Sequence, residues 1–197
     1  MKNTTDFPKL ALLTLRDPNA ASKIILGWNL SREAIWTSIA LVCVIVTILS
    51  TVTNMIFPVP PLVEKFVGNS LLVLAITAGG FIATAYCVFW VGRRLGGSGN
   101  FEDLLTLLLW LQVVRATAQL CILIALIIAP VLASFLALFV AVATLWVLVH
   151  FIRIGLNLES LMRAAFVLIA SAIALLAASS FLLIVLGVSP GGVPLNV

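Results

Sequence analysis

Apolar residues along this chain come in long continuous runs, not in alternation. Five such runs lie near 34–57, 69–92, 104–128, 130–152 and 164–187. A bilayer core about 30 Å thick takes roughly 20 helical residues at 1.5 Å each, so each run is long enough to span it. A transmembrane barrel would instead show dyad segments of about ten residues. The pattern predicts an all-α polytopic membrane protein, a bundle of five transmembrane helices whose backbone groups are satisfied within each helix. The organisation read from it is an interfacial segment at 1–33, a five-helix domain at 34–187 and a short tail at 188–197.

The first 33 residues carry a different pattern. Asp17 followed by Pro18 reads as an N-cap and first helical position, after which Ala21, Ile24, Ile25 and Trp28 recur at i, i+3, i+4 and i+7. That spacing predicts an amphipathic helix. With Lys9, Arg16 and Lys23 nearby, it either lies in the membrane interface, apolar stripe toward lipid, or packs on the protein's own loops. Arg16, Lys23 and Trp28 are the candidate interfacial lipid contacts. The run Leu10–Leu15 is broken by Thr14 and followed by Arg16, Asp17 and Pro18, so it lacks the core and cleavage site of a secretory signal and is expected to stay on the mature protein.

Composition sharpens this reading. The chain is 63% hydrophobic and 9% charged, with mean hydropathy +1.27, more apolar surface than a single soluble core of this size buries. This excludes a soluble enzyme, a nucleic-acid reader and a disordered tail. The net charge of +4 is a topology signal. Lys2, Lys9, Arg16, Lys23 and Arg32 precede the first span, Arg93 and Arg94 lie in the second connection, and Arg153 and Arg163 lie in the fourth. Lys65 stands alone on the other side. The positive-inside rule then predicts a cytoplasmic N-terminus and a C-terminus facing the outside.

The connections are punctuated. Pro58, Pro60 and Pro61 end the first span, Ser31 caps its start, and Pro130 opens the fourth span after a tight hairpin. Gly96, Gly97, Ser98 and Gly99 predict a flexible turn, with Asn100 capping the third span and Glu102 and Asp103 in its first turn. A phosphate-cradling loop would place Lys and Ser/Thr after the glycines, and two carboxylates follow here instead. Ala75, Gly79 and Ala83, and Ala170, Ala174 and Ala178, are small residues four apart that suit close packing, either internal or between copies.

One ionisable residue lies inside a span. Arg115 falls near the middle of the third, with Gln112 and Gln119 on the same helix face. The span's fifteen Leu, Ile and Val residues, at roughly −0.3 to −0.6 kcal/mol each, offset about +2.5 to +3.5 kcal/mol for a central Arg. Glu102 and Asp103 are about 18 Å away along the axis, beyond reach of the side chain. Gln112, Arg115 and Gln119 are therefore the candidate intramembrane polar contact, either a structural hydrogen-bond group or a site for an anion, a lipid head group or a partner subunit. Cys43, Cys87 and Cys121 sit singly in apolar runs and predict neither disulfide nor metal site. His150, the one histidine, is expected to hydrogen-bond at the interface. With no membrane-embedded acid and no nucleophile beside a base, no enzyme, no cofactor and no proton relay is expected.

Three stretches together resemble the Yip family, five-span membrane proteins named for interaction with Ypt/Rab GTPases, and most closely its bacterial branch. They are Leu15-Arg-Asp-Pro18 through Trp28, the turn Gly96-Gly-Ser-Gly-Asn-Phe101, and Trp146 through His150 and Asn157 to Arg163-Ala-Ala165. The resemblance covers roughly Leu12 to Leu186. It departs in the third span, where Val113, Val114 and Arg115 stand in place of a central proline. The resemblance implies five helices, a cytoplasmic N-terminus and periplasmic C-terminus in a bacterial inner membrane, and a non-catalytic scaffold or trafficking role through protein contacts. It carries no GTPase contact onto any residue here. The expected partners are membrane lipids and a membrane protein or a second copy, with no nucleic acid. The other readings are a carrier or lipid-handling protein using Gln112, Arg115 and Gln119, and an accessory subunit of a respiratory or photosynthetic complex.

Overall fold

Long apolar runs fold here as long helices. The computed structural model describes residues 6–57 and 68–185; Pro58, Pro60, Pro61, Lys65 and the tail lie outside them. Two short helices, α1 (Phe7–Arg16) and α2 (Pro18–Leu26), precede five long ones: α3 (Arg32–Ile56), α4 (Ser70–Arg94), α5 (Phe101–Ile128), α6 (Pro130–Gly155) and α7 (Leu161–Val185). All five long helices are apolar and long enough to cross a membrane. Among the described residues there is no strand.

The helix starts follow local chemistry. Asp17 accepts from Asn19 N and Ala20 N, Ser31 from Ala34 N, and Asn69 from Leu71 N and Leu72 N. Asn100 occupies the N-cap position of α5 in extended conformation, but its side chain makes no capping bond. Pro130 opens α6, where its missing N–H costs nothing. The α5 helix runs unbroken through Val113, Val114 and Arg115, as expected without a proline to remove a backbone bond.

The five long helices pack as a circuit in the order α3, α5, α6, α7, α4 and back to α3, with a lighter α4–α5 contact across it. Packing is concentrated at the end where α1 and α2 lie, hereafter the near end. There Ile35, Ile39, Val88, Leu104, Leu108, Ile152, Leu156, Ala164 and Val167 form one buried cluster drawn from every long helix. Past the middle of the helices, Thr47, Ala116, Leu123 and Ala133 are the buried residues among those described. In lipid no hydrophobic force drives helices together, so close approach depends on shape and backbone contact.

Glycine supplies that contact. A Cβ on Gly99 would stand 2.0 Å from Gly155 O, and one on Gly97 would stand 2.8 Å from Gly92 O. Ser98 N and Gly99 N both donate to Leu156 O at 3.0 Å. The Gly96–Gly99 segment is thus a clasp that locks the α4–α5 connection onto the end of α6. It is not the flexible turn its composition suggests, because three of its residues are bonded or pressed against another backbone. Only Gly96, at φ +90°, needs glycine for its own conformation.

The N-terminal segment also differs from expectation. The pattern predicts one amphipathic helix, and the structure has two. Pro8 sits in the first turn of α1, and Leu10, Leu13 and Thr14 share its buried face. Thr14, which interrupts the apolar run in the sequence, is satisfied there: its hydroxyl donates to Leu10 O at 2.8 Å and accepts from Trp110 Nε1 at 2.9 Å. Ala21 and Ile25 are fully buried against Leu107, Val147 and Phe151. Ala21 and Ile25 of the α2 stripe therefore pack on the walls of α5 and α6, not on loops, while Trp28 stays half exposed. Phe7 and Trp28 meet Trp110 edge to face at 5.4 and 5.5 Å. On α1, Leu12 is half exposed.

Candidate functional site

Arg115 falls midway along the 28-residue α5, about 20 Å from either end at 1.5 Å per residue. Gln112, Ala116 and Gln119 follow at helical spacing on the neighbouring face. The packed cluster ends just below them, and a cavity of about 500 Å³ opens, bounded by Val46 of α3, this face of α5, and Ala137, Val140, Ala141, Thr144 and Leu148 of α6. A second cavity of about 260 Å³ shares Gln112, Arg115, Thr144 and Leu148, and extends to Thr77, Gly80 and Thr84 of α4. A third, of about 60 Å³, lies between Arg115, Val114, Thr144 and Leu15 of α1.

The space exists because the opposing positions are small. Ala137, Ala141 and Thr144 recur at four and three residues on α6, and Thr77, Gly80 and Thr84 do so on α4. Side chains of leucine size there would fill the cleft. Gly80 has nothing within 4 Å of where a Cβ would lie. Thr84 returns its hydroxyl proton to Gly80 O at 2.7 Å, the usual way a helical threonine hides its polarity.

Arg115 itself is exposed to this space. Its Nη1 donates to Gln112 Oε1 at 3.5 Å, a long contact. Among the described residues no carboxylate pairs with it: the ion pairs are Lys9–Asp6, Arg32–Glu102 and Arg163–Glu159, all on the exterior. A guanidinium carries five N–H donors in a planar fork suited to carboxylate or phosphate oxygens. Among the described residues its one hydrogen bond is that to Gln112, and the residue lines all three cavities. The cleft can therefore present an anion with a charge-assisted, two-pronged contact, flanked by the amides of Gln112 and Gln119 and the hydroxyl of Thr144.

The sequence identified the polar stripe, and the structure brings Gln112, Arg115 and Gln119 together at one cavity. It did not identify Thr77, Thr84 or Thr144, which lie on other helices; threonine is common in spans, and only their small size at helical spacing signals them. The interfacial candidates are separate from this site. Arg16 and Lys23 are exposed on α1 and α2, and Trp28 lies in the turn after α2, half exposed against Trp110. Arg153 Nη2 donates to Asn19 Oδ1 at 3.0 Å and ties α2 to α6. His150 is buried, with Nδ1 2.9 Å from Trp146 O and its ring 4.3 Å from the Trp146 ring. It bonds back along its own helix, where the neighbouring turn supplies the acceptor. Ala75, Gly79 and Ala83, and likewise Ala170, Ala174 and Ala178, are exposed, so neither stripe is spent on internal packing.

Among the described residues no group of three or more His, Cys, Asp or Glu is placed to hold a metal ion. The sequence model of the Yip1 domain matches residues 12–182. No curated protein and no solved structure matches the chain.

Proposed function

The chain belongs to the Yip1 domain family, and we propose that it is a non-catalytic integral membrane protein that binds an anionic group of another membrane component at Gln112, Arg115 and Gln119. The observation that carries this reading is the cleft. Arg115 faces open volume at mid-depth instead of the carbonyls of neighbouring helices. A purely structural arginine in lipid would spend its donors on the protein, because each unsatisfied polar group there costs several kcal/mol, on the order of 2–7. The near end is cytoplasmic in this reading, with Arg16, Lys23, Arg93 and Arg94 on that side, in a bacterial inner membrane.

The test is copurification. Wild-type protein extracted in mild detergent retains an anionic component, lipid or protein, that Arg115→Gln loses while folding normally. Equal recovery from both proteins would contradict the reading.

A second reading, a scaffold or accessory subunit acting by protein contacts, is favoured by a specific observation. Ala75, Gly79 and Ala83 present an exposed face on α4, and Gly79 has nothing within 4 Å of its Cβ position. Such a face lets helix backbones approach closely. Crosslinking in native membranes from Gly79→Cys should capture a neighbour or a second copy if this reading holds. Capture of monomer alone would remove it.

A further inference from the structure

We propose that the cleft is a receptor for an anionic alkyl amphiphile, with its carboxylate or phosphate on Arg115 and its tail along the α3–α6 wall, and that the near half of the bundle blocks it from passing across the membrane. This rests on the anionic docking read above, and adds the occupant and the route.

Size limits the occupant first. A helix about 10–12 Å across fills roughly 400–600 Å³ per turn, so a cavity of about 500 Å³ holds about one turn. It does not enclose a partner's spanning helix, which could reach Arg115 only with a side chain laid across the open mouth. Lining chemistry comes next. Gln112, Arg115, Gln119 and Thr144 make the polar part, while Val46, Ile122, Val140, Leu145 and Leu148, together with three alanines, make the rest of the wall. A bare phosphate would satisfy the first set and leave the second facing trapped water, whereas an amphiphile matches both.

Charge selects the head group. The lining residues of the two larger cavities include one cation and no carboxylate. A single negative charge is neutralised there, but the ammonium of a zwitterionic head would find no acid. The route follows from packing. Beneath Gln112 and Leu148 lie Leu104, Leu105, Leu108, Ile152 and Leu156, all buried in the cluster shared by every long helix. Interiors packed at this density do not admit an alkyl chain without repacking. The occupant therefore arrives from the other leaflet or from the side of the bundle, and leaves the same way.

The test uses the full chain in phosphatidylcholine nanodiscs, with palmitate, lysophosphatidylglycerol, lysophosphatidylcholine and inorganic phosphate as probes and native mass spectrometry as readout. Palmitate or lysophosphatidylglycerol should be retained at least tenfold over lysophosphatidylcholine, and the better of the two identifies the head as carboxylate or phosphodiester. Arg115→Gln should reduce retention to the zwitterionic level, Arg115→Lys should restore part of it, and Ala141→Leu should reduce it by filling the wall while leaving the charge in place. Arg163→Gln, on the exterior beside Glu159, should change nothing. Retention of inorganic phosphate as strongly as the amphiphiles would overturn the amphiphile proposal and leave anionic docking standing. Retention indifferent to Arg115 would overturn both. In vesicles carrying a fluorescent phosphatidylglycerol, the chain should not accelerate exchange between leaflets; acceleration abolished by Arg115→Gln would overturn the sealed route. Should Arg115→Gln fail to fold, the Lys and Ala141→Leu variants carry the same comparison.

Discussion

The two halves of the bundle are built from the same kinds of residue and packed to different ends. In the near half, α3 through α7 bring Ile35, Val88, Leu108, Leu156 and Val167 into one buried cluster, and α1 and α2 add a second layer on Trp110 and Phe151. In the far half, helices just as apolar leave Ile127, Leu132, Phe135 and Leu176 exposed, and the centre is a cleft. Hydropathy does not distinguish the halves. What does is whether backbones meet: Gly92, Gly97, Gly99 and Gly155 cluster at the near end, whereas Gly79 and Gly80 touch nothing. A lipid-embedded bundle is tight where glycine and shape make it so, and here it is left open around its one buried-depth cation.

The largest effect expected from breaking this contrast is at the clasp. Gly99→Ala puts a methyl 2.0 Å from Gly155 O and 2.6 Å from Leu156 Cα, backbone atoms that cannot rotate away, and should cost about 3 kcal/mol or prevent folding. Gly80→Ala, with nothing within 4 Å, should leave the melting temperature in detergent unchanged or raised. Truncation sharpens the comparison. Phe151→Ala, removing a fully buried ring, should lose about 3–5 kcal/mol, while Phe135→Ala, 68% exposed, should lose under about 1 kcal/mol. Reversible unfolding in mixed micelles separates the two, and equal losses would mean the far half is packed after all.

The strap formed by α1 and α2 gives a smaller effect. Trp110→Phe keeps most of the ring but removes the bond to Thr14, whose hydroxyl still has Leu10 O. About 1 kcal/mol should be lost, read as faster amide exchange in α1 with the long helices unaffected. Smallest is the first-span cap: Ser31→Ala removes the 3.3 Å bond from Ala34 N and should cost about 0.5–1 kcal/mol, seen as fraying of the first turn of α3.

Most of the fold was legible in the sequence because the bilayer imposes a length on every span, and Asp17, Ser31 and Pro130 act within a few residues of themselves. The stripe at Gln112, Arg115 and Gln119 was legible for the same reason: a lone cation in fifteen Leu, Ile and Val needs only its own helix to be noticed. What the sequence hid depends on distant residues. Thr14 looked like an interruption until Trp110 supplied its partner from α5. The Gly96–Gly99 run looked like a flexible turn, because nothing local says that Gly155 presses against it. The cleft was hidden because its walls, Ala137, Ala141, Thr144 and Gly80, signify by being small opposite one another, and which residues stand opposite is settled by packing order.

The central claim is that the near half seals the bundle below an accessible Arg115. Thiol accessibility in vesicles tests it directly, using a background in which Cys43, Cys87 and Cys121 are replaced, and single cysteines at Gln119, Thr144, Leu104 and Ile152 are exposed to a small charged reagent. Rapid modification at 119 and 144, with 104 and 152 protected from both sides of the membrane, is the predicted result. Comparable modification at all four positions, or protection at 119 and 144 as well, would contradict it.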